Sequence, residues 1–454
     1  MASTEPLESS ARRIVARLQE AGFEAMYAGG CVRDMLRGVP PHDYDIATSA
    51  RPETVQSLFR RTIAVGAHFG VISVLVDRAE FQVATFRSDG IYADGRHPES
   101  VQFSSAREDA LRRDFTVNGL FYDPVSAQLQ DYVGGRADLE SRVLRAIGDP
   151  EARFAEDRLR MLRAVRFATG LGFEIEPATW AAVQKHAPSI VEVSAERIRD
   201  ELLKTLHAPE RVRGLDLLDQ SGLLRQILPE MEALKGCEQP PQFHPEGDVW
   251  THVRLMLGFL PAEVSTPLLL AVLLHDIAKP ATFSLAPAEG RIRFNGHDKL
   301  GAEMAGEILT RMRFSKKEIE ATVECIAQHM AFKDVQQMRV SRLKRFLARP
   351  TMPDELVLHR VDCAASNQDF SNYEFLSRKI EEFSKEPLIP PPLVTGRDLL
   401  ALGLEAGPRF KEILDQVQSL QLEALLQTRE DALAWVQETY PPGSPRPTTP
   451  HNAK

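Results

Sequence analysis

The sequence predicts an α+β chain, with a mixed α/β unit at its N-terminal end and helices almost everywhere after it. Three observations lead there. Runs rich in β-branched and aromatic residues, bounded by glycines, dominate the first ~135 residues. From about Asp138 the apolar period changes to 3.6, as in RFAEDRLRMLRAVRFATGLGF (153–173). Finally, 454 residues exceed what a single core holds, so roughly two to four domains are expected.

Residues 9–21 have helical spacing, and FEAMYAGG (23–30) reads as a strand running into a glycine turn. CVRDMLRG (31–38) is helix-spaced and stops at Gly38, after which DYDIAT (43–48) is the next strand. TIAVGA (62–67), GVISVLVD (70–77) and FQVATFRSD (81–89) supply further strands. Helical patterns then continue almost to Tyr440, broken by the loops 235–248 and 385–394. The closing PPGSPRPTTPHNAK (441–454) is a disordered tail by composition. The expected division is 1–137, 138–234, 235–384 and 393–440, followed by that tail.

With 43% hydrophobic and 26% charged residues, the composition is that of an ordinary globular protein. The longest apolar run, PLLLAVLL (267–274), is too short to span a bilayer, so no membrane role is expected. The polar, acidic start MASTEPLESS predicts no signal or transit peptide. Cys31, Cys237, Cys325 and Cys363 stand far apart, which fits a reducing cytoplasm and argues against a zinc ribbon. A formal net charge of −9 means that any nucleic-acid contact must come from local basic patches. Oligomeric state is not legible.

Asp43 and Asp45 raise the first chemical question. On a strand they project from one face and repel each other unless a cation compensates. They are therefore either a solvated surface pair or a metal site. Upstream, in GGCVRD (29–34), Gly29 and Gly30 let backbone N–H groups approach an anion, and Arg33 reaches the same place. Alone this is most often a glycine turn with an Arg33–Asp34 surface pair. Beside two parallel carboxylates it becomes what two-metal phosphoryl transfer needs.

At these residues GGCVRDMLRGVPPHDYDIATSA (29–50) resembles the class II tRNA nucleotidyltransferases and bacterial poly(A) polymerases, of the polymerase β-like superfamily. TFRSDGIYADGRHP (85–98), RRDFTVNGLFYDP (112–124) and AEDRLRMLRAVRFA (155–168) continue the likeness in family order. The resemblance implies a polymerase β-like head in which Asp43 and Asp45 hold catalytic Mg2+. It implies further that Gly30 and Arg33 hold the triphosphate, and that Arg113 and Asp114 lie beside the ribose. In EDRLR the plain reading is an intrahelical salt bridge, Glu156–Arg160 or Asp157–Arg160. The family instead gives Asp157 and Arg160 the reading of the incoming base, with Arg163 and Arg166 toward the phosphates. The chemistry agrees: a carboxylate accepts from the exocyclic amine of C or A, and a guanidinium donates to the adjacent ring nitrogen. One departure stands out. Gln82 occupies a position where the family pattern usually has a third carboxylate, with Glu80 two residues earlier on the same strand face.

The segments 64–74 and 86–98 look like the CCA-adding form, which implies CTP and ATP as substrates and a tRNA 3′ end as acceptor. CC-only, A-only or poly(A) addition is the alternative. The basic runs 311–317 and 339–349 are candidate tRNA contacts or plain solvated helix faces, and 393–436 resembles the tRNA-gripping C-terminal segment of longer CCA enzymes.

A second constellation follows in the helices: His252, the pair His275–Asp276, His297, His329 and Asp362. Their order resembles HD-domain metal phosphohydrolases. Mixed His and Asp ligands suit Mn, Fe, Co or Ni rather than zinc. Lys279 either approaches a substrate phosphate or caps the helix. An HD phosphohydrolase with an RNA-binding but inactive head is the remaining alternative.

Overall fold

The computed structural model describes residues 5–66, 70–89, 101–286 and 291–441. Most of the expected loop 86–98, part of the segment 64–74 and the tail after Pro441 lie outside the described residues. The chain divides into two compact units, one of residues 1–235 with 261–263 and 308–314, the other of 236–260, 264–307 and 315–454.

The first unit opens with α1 (Glu5–Glu20), β1 (Ala25–Ala28), α2 (Gly30–Leu36), β2 (Ile46–Thr48) and α3 (Pro52–Leu58). Next come β3 (Thr62–Gly66), β4 (Val71–Val76), β5 (Ala79–Thr85), β6 (Arg87–Asp89), β7 (Val101–Phe103) and α4 (Ala106–Leu111). The strands β8 (Leu120–Asp123) and β9 (Gln128–Asp131) complete a sheet of order β3-β4-β5-β2-β1-β8-β9. β2 and β5 run parallel and the other neighbours antiparallel. The sequence reading missed β8 and β9, because each is only four residues long and QLQD offers little apolar alternation.

The acid pair sits differently from expectation. β2 starts at Ile46, so Asp43 and Asp45 lie just ahead of it rather than inside it. Pairing begins slightly earlier all the same, since the Ala28 N–H donates to the Asp45 carbonyl at 2.9 Å. The alternation also holds. Tyr44 is buried against Tyr27, their ring centroids 5.0 Å apart, while Asp43 and Asp45 are exposed.

The helical part of this unit comprises α5 (Gly135–Glu140), the short β10 (Val143–Leu144), α6 (Pro150–Glu156), α7 (Leu159–Leu171), β11 (Glu174–Ile175) and α8 (Pro177–His186). It ends with α9 (Ala195–Leu206), α10 (Arg211–Gln220) and α11 (Leu223–Ile227). The long helix expected over 153–173 is in fact two. Asp157 adopts an extended conformation (φ −140°, ψ 104°), ending α6, and its carboxylate accepts from the Leu159 N–H at 3.1 Å at the start of α7. Periodicity cannot see a one-residue break that keeps the apolar face in phase.

The second unit contains α12 (Val249–Phe259), α13 (Thr266–Leu274), α14 (Lys279–Thr282), the hairpin β12 (Phe283–Ala286) and β13 (Arg291–Phe294), α15 (His297–Arg311) up to residue 307, and α16 (Lys316–Gln328). α17 (Val340–Leu347), α18 (Met352–Ala365), α19 (Ser371–Phe383), α20 (Gly396–Ala401), α21 (Pro408–Leu422) and α22 (Arg429–Thr439) follow. Every residue from Leu268 to Leu274 is buried, so α13 is apolar all round and runs through the core. That placement delivers the next two residues, His275 and Asp276, into the interior. The last three helices close over their own core of Leu399, Ile413, Val417, Val436 and Tyr440. Among the described residues no helix is long and apolar enough to cross a membrane.

Candidate functional site

The first site is built around the turn from β1 into α2. Gly29 has φ +75°, which favours glycine, and a Cβ there would meet the Arg113 guanidinium at 2.7 Å and displace its end. The first intrahelical bond of α2 is Arg33 N–H to Gly29 O at 3.1 Å, which leaves the N–H groups of Gly30 and its successors ahead of the ladder. Asp43 and Asp45 stand on the exposed side with no ion pair or hydrogen bond to either carboxylate among the described residues. The surrounding protein and then the Asp43 charge push the Asp45 carboxyl up, and Arg113 offsets part of this. Extending the β2–β5 register by one residue sets Gln82 opposite Asp45. An acid pair that Arg113 compensates only in part fits a divalent cation.

Behind it runs a buried polar chain. Arg33 makes a two-pronged contact with its neighbour Asp34 (2.9 and 3.0 Å) and donates to Asn118 Oδ1 at 2.8 Å. The Arg33–Asp34 pair read from sequence as a surface feature is thus formed, but with Arg33 buried. Asn118 Nδ2 donates to Asp114 Oδ1 at 3.1 Å, and Arg163 donates to Asp114 Oδ2 from Nε at 2.8 Å and Nη2 at 2.5 Å. Burial alone would raise the Asp114 carboxyl, but the Arg163 charge and these bonds overcome it and hold the group at about 2. Arg113 is fixed by Asp109 and by the Asn118 carbonyl at 3.2 Å. Asn118 joins Arg33 to Asp114, and sequence reasoning missed it. Its place inside RRDFTVNGLFYDP was the available signal.

Asp157 and Arg160 have separate side-chain partners. Asp157 accepts from Arg197 Nη2 at 3.1 Å, an α9 residue that no sequence argument singled out. Arg160 is buried and donates to Glu156 at 2.7 Å and to the Arg153 carbonyl at 3.1 Å, so the Glu156–Arg160 salt bridge forms. Arg166 pairs with Glu201 at 2.5 Å and lies over the Phe167 ring. Each arginine of α7 named from sequence therefore has an acidic partner within the unit.

The second unit brings all six expected histidine and aspartate residues together. His252, His275, Asp276, His297 and His329 are buried. His252 Nε2 is 3.2 Å from Asp362 Oδ1, His275 Nε2 is 3.1 Å from Asp276 Oδ2, and His297 Nε2 is 3.5 Å from Asp276 Oδ1. The outer ring nitrogens show which face looks inward. His275, His297 and His329 each direct Nδ1 to the carbonyl three residues earlier, at 3.1, 2.7 and 2.6 Å. His252 directs its Nδ1 to Glu246 at 2.7 Å. These bonds put a proton on the Nδ1 of each ring and turn the four Nε2 atoms inward.

Two consequences fit a cation there. His297 Nε2 and His329 Nε2 face each other at 3.1 Å, and His252 Nε2 and His275 Nε2 lie 3.2 and 3.1 Å from the Asp362 and Asp276 carboxylates. Burial and then the His275 charge depress His329 to about 4, which keeps its lone pair free. Burial opposes ionisation of Asp276 and Asp362. His275 and Lys279 nevertheless hold Asp276 far below the carboxylate range, as His252 does for Asp362. Lys279 is buried between Asp276 (2.7 Å) and Gln239 (2.6 Å), so its ammonium belongs to the centre rather than capping a helix. Glu246, His244 and Gln239 come from a stretch read only as a loop.

Comparison with known proteins follows the same division. Residues 25–145 match the family described as Poly A polymerase head domain, 172–235 the probable RNA and SrmB- binding site of polymerase A, and 250–364 the HD domain. An A-adding tRNA nucleotidyltransferase of Deinococcus radiodurans is 34% identical over 445 residues, 92% of this chain and 97% of the relative. A CCA-adding enzyme of Latilactobacillus sakei is 40% identical over 264 residues, but the match spans only 57% of this chain and 66% of that enzyme. The crystal structure of the Bacillus stearothermophilus CCA-adding enzyme in complex with CTP superposes with a TM-score of 0.72 at 26% identity, covering 96% of this chain and 98% of that one. With its head, its RNA-binding region and its HD domain matched in order, the chain belongs to the tRNA nucleotidyltransferase and poly(A) polymerase family, as a nucleotidyltransferase that carries an HD domain.

Proposed function

We propose that the protein adds CCA, without a nucleic-acid template, to the 3′ end of tRNA from CTP and ATP in the cytoplasm. The observation that carries this is the exposed Asp43–Asp45 pair, only partly offset by Arg113, beside the Gly29–Arg113 turn. These carboxylates would hold Mg2+, which when bound lowers the pKa of the attacking 3′-hydroxyl and neutralises the departing pyrophosphate. The chain's own work is positioning. Gly29, Gly30 and Arg33 receive the triphosphate; Arg113 and the Asp114–Arg163 pair border the ribose, and Arg166 extends the positive side of α7 toward the phosphates. Asp157 keeps acceptor capacity beyond its Arg197 bond, so it can take the exocyclic amine of C or A while Arg160 donates to the ring.

Replacing Asp43 or Asp45 by Ala tests this directly. Each change should abolish incorporation of both C and A, measured on a tRNA lacking its 3′ end, while the thermal midpoint stays within a few degrees of the parent. Removing one of two exposed, repelling acids opens no core. Two active single mutants would contradict the assignment.

The second reading, A-only addition, is favoured by the Deinococcus radiodurans relative, whose match runs nearly end to end. In the second unit His252, His275, Asp276, His297 and His329, with Asp362 beside His252, would hold a divalent Mn, Fe, Co or Ni ion for phosphohydrolysis of phosphorylated or cyclic-phosphate RNA ends. The basic run 339–349 supports tRNA contact less strongly. Leu343, Phe346 and Leu347 are buried, Arg345 donates to Ser419 and Arg349 pairs with Glu355.

A further inference from the structure

We propose that Glu246 is a positioning residue of the HD centre, fixing the ring of His252 so that its Nε2 is presented to the metal. The proposal rests on the reading of that centre as a metal site. His252 is the exception among the four inward-facing histidines. The other three are held by backbone carbonyls of the turn that precedes each one. His252 lies in the first turn of α12, its N–H donating to the Asp248 carbonyl at 3.1 Å, where the carbonyls are committed to the helix ladder, so its Nδ1–H needs an acceptor from elsewhere. Glu246 supplies it at 2.7 Å, from the loop that enters α12.

The carboxylate is itself held in place. Its side chain is only 6% exposed, and His244 approaches the same oxygen at 2.9 Å, its ring edge-on to His252 with centroids 5.0 Å apart. Two rings thus converge on one acceptor. A carboxylate bonded to a ligating imidazole does what a carbonyl does for tautomer and orientation, and in addition makes the ring a stronger donor. The arrangement gives the His252 side of the centre a firmer ligand than the His297–His329 side.

His244, Glu246 and His252 also stand close enough to hold an ion of their own. The geometry favours the positioning role. Using Nδ1 for such an ion would strip the ring proton that Glu246 accepts, and would set the ring bridging two cations.

The test is Co(II) binding to the full chain, followed by calorimetry and by the d–d absorption of the bound ion, with His275→Ala as the reference for loss of the HD signal. Glu246→Ala should weaken that signal's affinity about 10–100-fold and shift its bands. Glu246→Gln, which keeps an acceptor without the charge, should fall between the two, and circular dichroism of the metal-free proteins reports folding. If Glu246→Ala does not fold, Glu246→Gln decides: affinity and bands equal to the parent overturn the proposal. Equal affinity and spectrum in a folded Glu246→Ala overturn it alone. A parent chain with no Co(II) signal sensitive to His275→Ala overturns the metal reading, and this proposal with it.

Discussion

Asp45 and Asp114 show how the same side chain acquires opposite duties from its surroundings. Asp45 is exposed beside another acid, and its carboxyl is pushed up. Asp114 is buried under Arg163, Asn118 and a backbone N–H, and is held at about 2. A carboxyl whose folded value lies below its ordinary one stabilises the fold above the ordinary value and loses that contribution as pH falls through the folded one. Asp114→Asn should therefore cost about 2 kcal/mol at pH 7, and the gap should close as pH falls from about 4 toward 2. Urea titrations of both proteins across that range measure it. A gap independent of pH would mean that the charge is not what stabilises the site. Asn118 also belongs to this scale: no pattern distinguishes an exposed loop amide from one that joins Arg33 to Asp114, because the distinction is made by contacts across the fold.

At the scale of elements, the break between α6 and α7 matters most. It gives Asp157 an extended conformation, and its carboxylate accepts from Arg197. Asp157→Ala should lose discrimination more than basal transfer, giving measurable UTP or GTP incorporation beside weaker use of CTP, since a good bidentate base contact is worth ~1–3 kcal/mol. Unchanged selectivity in single-nucleotide assays would assign Asp157 to the Arg197 ion pair alone. The sequence made the two acids and the glycine turn legible, because Tyr44 is buried between the exposed Asp43 and Asp45 as period-two patterning requires, while the flanking β1 and β2 showed as short apolar runs. It also made α13 legible, and with it the interior position of His275 and Asp276. It hid the helix break, whose apolar phase is continuous, and it hid Glu246. The stretch HPEGD looks like any polar loop until α12 folds and sets His252 within reach of it.

For the whole molecule, the account assigns two chemistries to two compact units. His275→Ala should abolish phosphatase or cyclic phosphodiesterase activity, and it should leave nucleotide incorporation within about two-fold of the parent if the units act independently, an expectation resting on their separate cores. Because Asp276 is buried beside His275, a folding measurement must accompany both assays. A folded variant that still hydrolyses with the parent's metal dependence would remove the HD centre from the account.

Complete CCA addition is read from product length on two acceptors. One acceptor lacks its last three nucleotides and the other ends in CC, with CTP and ATP supplied separately and together. The account predicts two added nucleotides on the first acceptor with CTP alone and three with both. It predicts one nucleotide on the second acceptor with ATP, and none with UTP or GTP. Extension of the CC-ended acceptor alone, or an unbounded run of A, would contradict it.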